Sequence, residues 1–272
     1  MDLFVQGSAP DDIRRVPSMS WLIEHQVTKR KVVFDLGIRR DIENYPPTVY
    51  ERLQTVVKTE VPQDVFESLN KLHIDPQNDV DTVIISHLHY DHVGDPSKFG
   101  PNVTFLLGPG AEELILGPKT YPTDPESNYD SNLIPQGNKL SFLPVPSTDT
   151  SGFWEPLGPF PQTHDFFGDK SLFIINAPGH CIGHLNALVR VDNQKWLYLA
   201  ADTTHNARIL HGTAQTAIYT DEATGLRCKS AHSDLEAAEA HLQRVQEFAR
   251  ETGVEIILAH DADWYEANLK NY

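Results

Sequence analysis

Short, continuous runs of apolar residues recur along the chain and are separated by more polar stretches. Several of these runs show no alternation of apolar and polar positions, which is the pattern of strands covered on both faces. Seven such runs are found at residues 21–23, 32–34, 83–85, 103–106, 172–175, 196–199 and 256–258. The pattern predicts a protein built around buried strands.

Two segments between the apolar runs have helical periodicity instead, at residues 61–73 and 233–252. In the first segment one stripe holds Val65, Leu69 and Leu72. In the second the spacing of three to four residues relates Leu235, Ala238, Leu242 and Val245. Ser233 and Glu236 match a capping box at its start, and Gly253 is expected to end it. Strands interleaved with helices indicate layers of the α/β or α+β type.

One stretch, residues 117–170, differs from the rest because it holds nine of the 19 prolines together with many aromatic residues. Proline and glycine interrupt regular structure, so this stretch is predicted to be a loop-rich insertion. It is either a surface connection or a set of loops that form a pocket wall or lid, and residues 36–50 are a second stretch of this kind. Neither stretch marks a domain boundary, and we expect a single domain over 1–272.

The composition is that of an ordinary folded protein, with 272 residues, of which 40 % are hydrophobic and 22 % are charged. The net charge of −16 disfavours nucleic acid and anionic membrane surfaces as partners. Two cysteines form neither a disulfide framework nor a CxxC motif, and the N-terminal residues show no secretory signal. These features lead us to expect a cytoplasmic protein. The oligomeric state stays open, with a homodimer as one option.

The strongest chemical signal is the run His-Leu-His-Tyr-Asp-His at residues 87–92, directly after an apolar run. On a strand, residues two apart point the same way, so His87 and His89 can bind one cation. The turn that follows lets Asp91 and His92 face a second position. Neutral imidazoles and carboxylates suit zinc, and also iron or manganese. The run therefore predicts a metal site.

Three further residues able to bind a metal come just after apolar runs. They are His180, Asp202 and His260. Residues at the ends of parallel strands share one edge of a sheet, which is how distant parts of a chain build one site. A single histidine in such a place is more often structural, but three similar cases strengthen the prediction of a metal site.

Together, these motifs resemble the metallo-β-lactamase superfamily, and the early Asp35-Leu36-Gly37 segment matches another of its motifs. The resemblance implies an αββα four-layer sandwich of the α+β class. It also implies two metal ions, expected to be zinc, that hold a hydroxide. The first ion would be bound by His87, His89 and His180. The second would be bound by Asp91, His92 and His260. Asp202 would bridge both ions, Asp91 would also move a proton, and Asp35 would accept a hydrogen bond from a ligand imidazole.

Within the superfamily the chain looks most like the N-acyl homoserine lactonases and related small lactone and lactam hydrolases. The commonest secreted zinc β-lactamases have Cys where this chain has Asp202. Those lactonases often have Tyr three residues after the bridging Asp, where this chain has His205, a catalytic candidate that could donate a hydrogen bond or act as an acid. Because of this substitution, the identity of the substrate is not settled, and a benzoxazolinone-type carbamate is an alternative to a homoserine lactone. Two other activities stay open: an acyl thioesterase with the same metals, or an iron enzyme that uses oxygen.

The other histidines have weaker signals. His184 and His211 are candidates for packing or for supporting roles near the site. His232 and His241 lie at or in the helix over 233–252 and are expected to be solvated.

Overall fold

A computed structural model describes residues 1–9, 11–150, 152–221 and 225–268. Contacts within the chain divide it into two compact units. The first unit is Ser18–Val145, and the second consists of Met1–Pro17 and Pro146–Tyr272. The expectation of a single domain stays a prediction.

The first unit contains a five-stranded sheet in which the order in space follows the order in sequence. Its strands are β1 (Trp21–Glu24), β2 (Lys31–Phe34), β3 (Thr82–Ile84), β4 (Thr104–Leu107) and β5 (Lys139–Phe142). Strands β2 to β5 are parallel to one another, while β1 pairs with β2 in the antiparallel sense. The residues that follow β2 and β3 therefore lie at the same edge of this sheet.

Four helices accompany this sheet: α1 (Pro47–Thr55), α2 (Val65–Lys71), α3 (Tyr90–Val93) and α4 (Glu112–Leu116). Strand β3 is buried along its whole length, which explains its lack of apolar and polar alternation. Helix α2 begins with a capping box formed by Asp64 and Glu67 and ends at Lys71. The expectation that Leu72 belongs to the buried stripe is wrong, because this residue lies beyond the helix and is 62 % exposed.

The second unit contains a six-stranded sheet and a small two-stranded pair. Its strands are β6 (Glu155–Leu157), β7 (Phe160–Asp165), β8 (Leu172–Asn176), β9 (Leu185–Arg190), β10 (Trp196–Leu199), β11 (Tyr219–Thr220), β12 (Arg227–Lys229) and β13 (Glu255–Ile257). The order in the larger sheet is β13-β10-β9-β8-β7-β6, and β11 pairs with β12. Strand β9 runs antiparallel to both β8 and β10, and β13 is parallel to β10. The carboxyl ends of β8, β10 and β13 therefore share one edge.

The part of the second unit that the structure describes contains three α-helices: α5 (Ala207–Leu210), α6 (Leu235–Thr252) and α7 (Ala262–Asn268). Helix α6 ends where the sequence predicts, since Gly253 adopts a left-handed conformation with φ of 70°. Its N-cap is Asp234 and not Ser233: the Asp234 carboxylate accepts from the Ala237 N–H at 3.0 Å. Ser233 bonds to other backbone groups instead. The predicted cap is thus wrong by one residue.

The expectation that His241 is solvated is also wrong, because α6 buries it on the same face as Ala238, Leu242 and Val245. Its Nε2 donates to Asn186 Oδ1 at 2.8 Å, so the buried imidazole has a polar partner. Burial lowers the pKa of His241 to about 3, and the side chain is therefore neutral.

The proline-rich stretch 117–170 contains regular structure as well as loops. Strand β5 lies within it, and β6 and β7 form an antiparallel hairpin in the larger sheet of the second unit. Trp154 and Phe160 are buried in the second unit, which indicates a packing role for part of the aromatic content. Among the described residues, no helix combines the length and apolar character needed to cross a membrane.

Candidate metal centre

In the first unit, β3 ends at Ile84, so the predicted histidine run lies in the loop beyond the strand and not on its last residues. The two rings still meet, with the Nε2 atom of His87 3.0 Å from Nδ1 of His89. The chain then turns into α3, which contains Asp91 and the fully buried His92. Gly94 closes this turn with φ of 48°, and a Cβ atom there would lie 2.5 Å from the Leu36 carbonyl oxygen. Only glycine fits at this position.

Asp35, at the end of β2, orients this group. It is 1 % exposed, and its Oδ1 accepts from the Ser86 N–H at 2.6 Å. Its Oδ2 accepts from the Ser86 hydroxyl and from His92 Nδ1, both at 2.8 Å. The predicted contact between Asp35 and an imidazole is therefore present.

These contacts also select the tautomers. A proton on His92 Nδ1 leaves the lone pair on Nε2, the state that can bind a metal. Because the Ser86 hydroxyl proton is donated to Asp35, the same oxygen can accept from His87 Nδ1, which lies 3.0 Å away. Both imidazoles thus present Nε2 lone pairs.

In the second unit, the carboxylate of Asp202 is surrounded by imidazoles. It follows β10 and is 3 % exposed. Its Oδ2 lies 3.4 Å from His180 Nε2 and 3.3 Å from His205 Nε2. Its Oδ1 lies 3.3 Å from His260 Nε2. The strand-end positions of His180, Asp202 and His260 do bring these three residues together, and His205 joins them.

The Nδ1 atoms of His260 and of the neighbouring His184 donate hydrogen bonds to backbone carbonyl groups. His260 Nδ1 donates to the Pro17 carbonyl oxygen at 2.7 Å. His184 Nδ1 donates to the Ala177 carbonyl oxygen at 2.8 Å, and its Nε2 accepts from the Asp202 N–H at 3.2 Å. His184 therefore supports the backbone of Asp202. His211, by contrast, is exposed at the end of α5.

The side-chain amide of Asn186 supports the loop that contains Asp202. Asn186 is fully buried, and its amide nitrogen donates to the Ala200 carbonyl oxygen at 2.7 Å. Its Oδ1 accepts from the hydroxyls of Thr203 and Tyr198, each at 2.9 Å. The loop that contains Asp202 is thus held on both sides of that residue.

No sequence pattern indicated a functional role for His232, and the expectation that it is solvated is wrong, because the structure buries it. Its Nδ1 lies 3.3 Å from Nδ1 of His180. The ring nitrogens of His180, His205 and His232 fall within 4.8 Å of one another. Burial, followed by the neighbouring histidines, lowers the pKa of His232 to about 3. Its position follows a short hairpin and precedes a helix, so no strand-end pattern could have indicated it.

The donor set fits a divalent cation. Two donors bound to one tetrahedral zinc ion at ~2.0–2.1 Å lie ~3.3–3.4 Å apart. The spacings around Asp202 have this value, 3.3 to 3.4 Å. A charge-assisted hydrogen bond to a carboxylate would instead be about 2.7–2.9 Å. Cys181, next to His180, is buried, which raises the pKa of its thiol and keeps it protonated.

A family model described as the metallo-beta-lactamase superfamily matches residues 13–238. The chain therefore belongs to the metallo-β-lactamase superfamily, as the motifs predicted.

Two curated relatives illustrate the range of proteins that this chain resembles. It is 28% identical over 295 residues to the cytochrome P450 monooxygenase mpaDE' of Penicillium brevicompactum, a match that covers 100% of this chain and 33% of that protein. It is 34% identical over 197 residues to the gamma-lactamase FDB1 of Fusarium pseudograminearum, which covers 70% of this chain and 45% of that protein. The chain thus spans about a third of the length of the first relative and less than half of the second.

A solved structure confirms the fold. It is described as an N-acyl homoserine lactone hydrolase with the product N-hexanoyl-L-homoserine bound at the catalytic metal center. It matches with a TM-score of 0.66 at 16% identity and covers 98% of this chain and 90% of that chain. The predicted metallo-β-lactamase fold is therefore correct.

Proposed function

We propose that this chain is a metal-dependent hydrolase that opens a cyclic ester, or a cyclic amide or carbamate. One observation carries the proposal. The Oδ2 atom of the buried Asp202 lies 3.4 Å from His180 Nε2, and its Oδ1 lies 3.3 Å from His260 Nε2, so each oxygen has the spacing to one imidazole that two donors of a shared cation have. Membership of the metallo-β-lactamase superfamily, whose motif pattern the other predicted ligands follow, also supports the proposal.

The ligands in this proposal follow the family pattern. By that pattern, one cation would be held by His87, His89 and His180, and a second by Asp91, His92 and His260. Asp202 would serve both. Zinc is the expected metal, because the donors are neutral imidazoles and carboxylates. When bound, two such cations supply a hydrolytic nucleophile at neutral pH and polarise the carbonyl group of the substrate.

Other side chains prepare these ligands before any substrate arrives. Asp35 and Ser86 fix the tautomers of His87 and His92 through hydrogen bonds of 2.8 to 3.0 Å. His184 holds the backbone N–H of Asp202. A ligand set whose orientation is already fixed loses little entropy on binding and keeps its geometry during turnover.

Two residues are assigned to proton transfer and carbonyl recognition. Asp91, half-buried in α3, takes the proton of the attacking water and returns it to the leaving oxygen or nitrogen of the opened ring. His205 donates to the substrate carbonyl oxygen or acts as an acid. Its ring packs on Phe4 with centroids 4.8 Å apart, which limits its rotation within the second unit.

The names of similar proteins support the choice of a ring substrate. One relative is named a gamma-lactamase, and one structure of the same fold is described as a lactone hydrolase. A lactam and a lactone differ only in the atom that leaves, so one arrangement of cations and acid can serve both. A benzoxazolinone-type carbamate combines both leaving groups in one ring.

The test is a hydrolysis panel with the zinc-loaded protein. The panel contains γ-lactones, N-acyl homoserine lactones, γ-lactams, benzoxazolinone and an acyl thioester, each measured with and without chelator. We expect turnover of at least one ring substrate, loss of activity on chelation and recovery with Zn²⁺. His211→Gln, at an exposed position, is the matched control and should keep full activity.

Two outcomes would change the assignment. Turnover of the thioester alone would make the chain a thioesterase with the same donors. Consumption of oxygen that depends on iron, without hydrolysis of any compound in the panel, would refute the proposal.

A further inference from the structure

His232 contacts the outer nitrogen of His180 and has no role in the proposed function so far. The two Nδ1 atoms lie 3.3 Å apart, and the rings meet edge to face with their centroids 5.3 Å apart. His232 is 6 % exposed and His180 is 3 % exposed, so the contact is shielded from water.

The direction of this hydrogen bond follows from the other end of His180. Its Nε2 faces Asp202 Oδ2 at 3.4 Å and is the nitrogen available to a cation. A neutral imidazole that binds a metal through Nε2 holds its proton on Nδ1. His180 Nδ1 is therefore the donor, and His232 Nδ1 is the acceptor. This requires His232 to be neutral, with its own proton on Nε2.

The backbone around His232 is tied to the segment that contains His180. The Ser233 N–H donates to the His180 carbonyl oxygen at 2.8 Å, and the Asp234 N–H donates to the Gly179 carbonyl oxygen at 2.9 Å. Gly179 permits this approach, because a Cβ atom there would lie 2.1 Å from the backbone nitrogen of Ala238.

Ser230 fixes His232 from the other side. Its hydroxyl donates to the His232 carbonyl oxygen at 2.9 Å and accepts from the His232 N–H at 3.0 Å. The imidazole contact between His232 and His180 is thus part of a small rigid assembly, rather than a chance meeting of two side chains.

We propose that His232 is a positioning residue of the metal centre, which accepts the Nδ1 proton of His180 and thereby holds Nε2 of His180 ready for the cation. The inference rests on the proposed function, because it takes His180 as a ligand. A neutral nitrogen acceptor adds no negative charge, in contrast to the carboxylate of Asp35 beside His92.

The first test measures metal affinity without substrate. Zn²⁺ is titrated into the metal-free protein against a competing chelator, for the wild type, His232→Leu and His232→Asn. Leucine keeps the volume without an acceptor, and we expect about 10–100-fold weaker binding. Asparagine places an oxygen near the position of Nδ1 and should bind within about 3-fold of the wild type. His211→Gln is the control for replacing a histidine in the same unit.

The second test determines the tautomers directly by NMR and uses only the wild-type protein. A long-range ¹H–¹⁵N spectrum of the zinc-loaded wild type should show His180 protonated at Nδ1 and His232 protonated at Nε2. A proton on Nδ1 of His232 would overturn the inference, as would unchanged affinity in a folded His232→Leu variant.

His180→Ala separates the inference from the proposed function. Unchanged zinc binding in this variant would remove His180 from the ligand set, and the proposed function would fail in that part. Loss of zinc binding in His180→Ala with full binding in His232→Leu would refute the inference alone.

Discussion

Replacement of Asp35 by Asn tests how far the chain prepares its metal ligands. Asparagine has the same shape and tolerates the left-handed backbone of this residue, which has φ of 62°. Asp35 accepts three hydrogen bonds, two from Ser86 and one from His92. An amide keeps one acceptor oxygen and replaces the other with a donor.

The structure indicates which orientation the amide takes. With its nitrogen at the Oδ2 position, the amide would oppose the Nδ1 proton of His92 and would lose two accepted bonds. With its nitrogen at the Oδ1 position, only the Ser86 N–H loses its acceptor. The second orientation is favoured, and one unsatisfied buried N–H costs about 1–3 kcal/mol.

Two measurements follow. Urea unfolding of the metal-free variant should give a free energy of unfolding about 1–3 kcal/mol below that of the wild type. Zinc affinity should fall by roughly 10-fold, at the lower end of the range for such supporting residues, because His92 keeps an acceptor that has lost its charge. Asp75→Asn, at an exposed position, is the control and should leave zinc affinity unchanged. Unchanged affinity in Asp35→Asn would refute the reasoning.

Three further predictions concern other parts of the second unit. Because His241 has a pKa of about 3 in the fold and about 6.5 when unfolded, the unfolded chain gains the proton first as the pH falls. His241→Gln should therefore reduce the slope of unfolding free energy against pH by about 1.2 kcal/mol per pH unit between pH 5 and 6, and an unchanged slope would contradict the burial of a neutral imidazole. Gly179→Ala should unfold or prevent accumulation of the protein, whereas Gly212→Ala, with open space around the Cβ position, should cost about 1 kcal/mol in thermal unfolding; equal stability of the two variants would contradict the close approach. His205→Ala should lower kcat roughly 10²–10⁴-fold with unchanged metal content, and a loss of bound metal would make this residue a ligand instead.

The strand-end residues were predictable from sequence because the rule behind them is local. An apolar run that ends in a histidine or aspartate places that side chain at a sheet edge, whatever the rest of the chain does. His180, Asp202 and His260 follow this rule, and the structure brings them together within the second unit.

The supporting residues were not predictable because their partners are set by tertiary packing. His260 donates to the carbonyl oxygen of Pro17, 243 positions away in the sequence. His232 and His241 resemble surface histidines next to a polar helix, but both are buried against distant residues, His232 against His180 and His241 against Asn186. The N-cap of α6 was also not predictable from sequence. Ser233 matches the capping-box pattern, but its hydroxyl donates to the Gly179 carbonyl oxygen, and Asp234 caps the helix instead.

The central claim is that Asp202 organises a metal centre that performs hydrolysis. The most direct measurement is the metal content of zinc-reconstituted wild type and Asp202→Ala, together with circular dichroism and the hydrolysis rate of each. We predict about two equivalents of zinc in the wild type. The folded variant should retain at most one equivalent and no measurable turnover. A folded Asp202→Ala protein that keeps the full zinc content and the full rate would contradict the account.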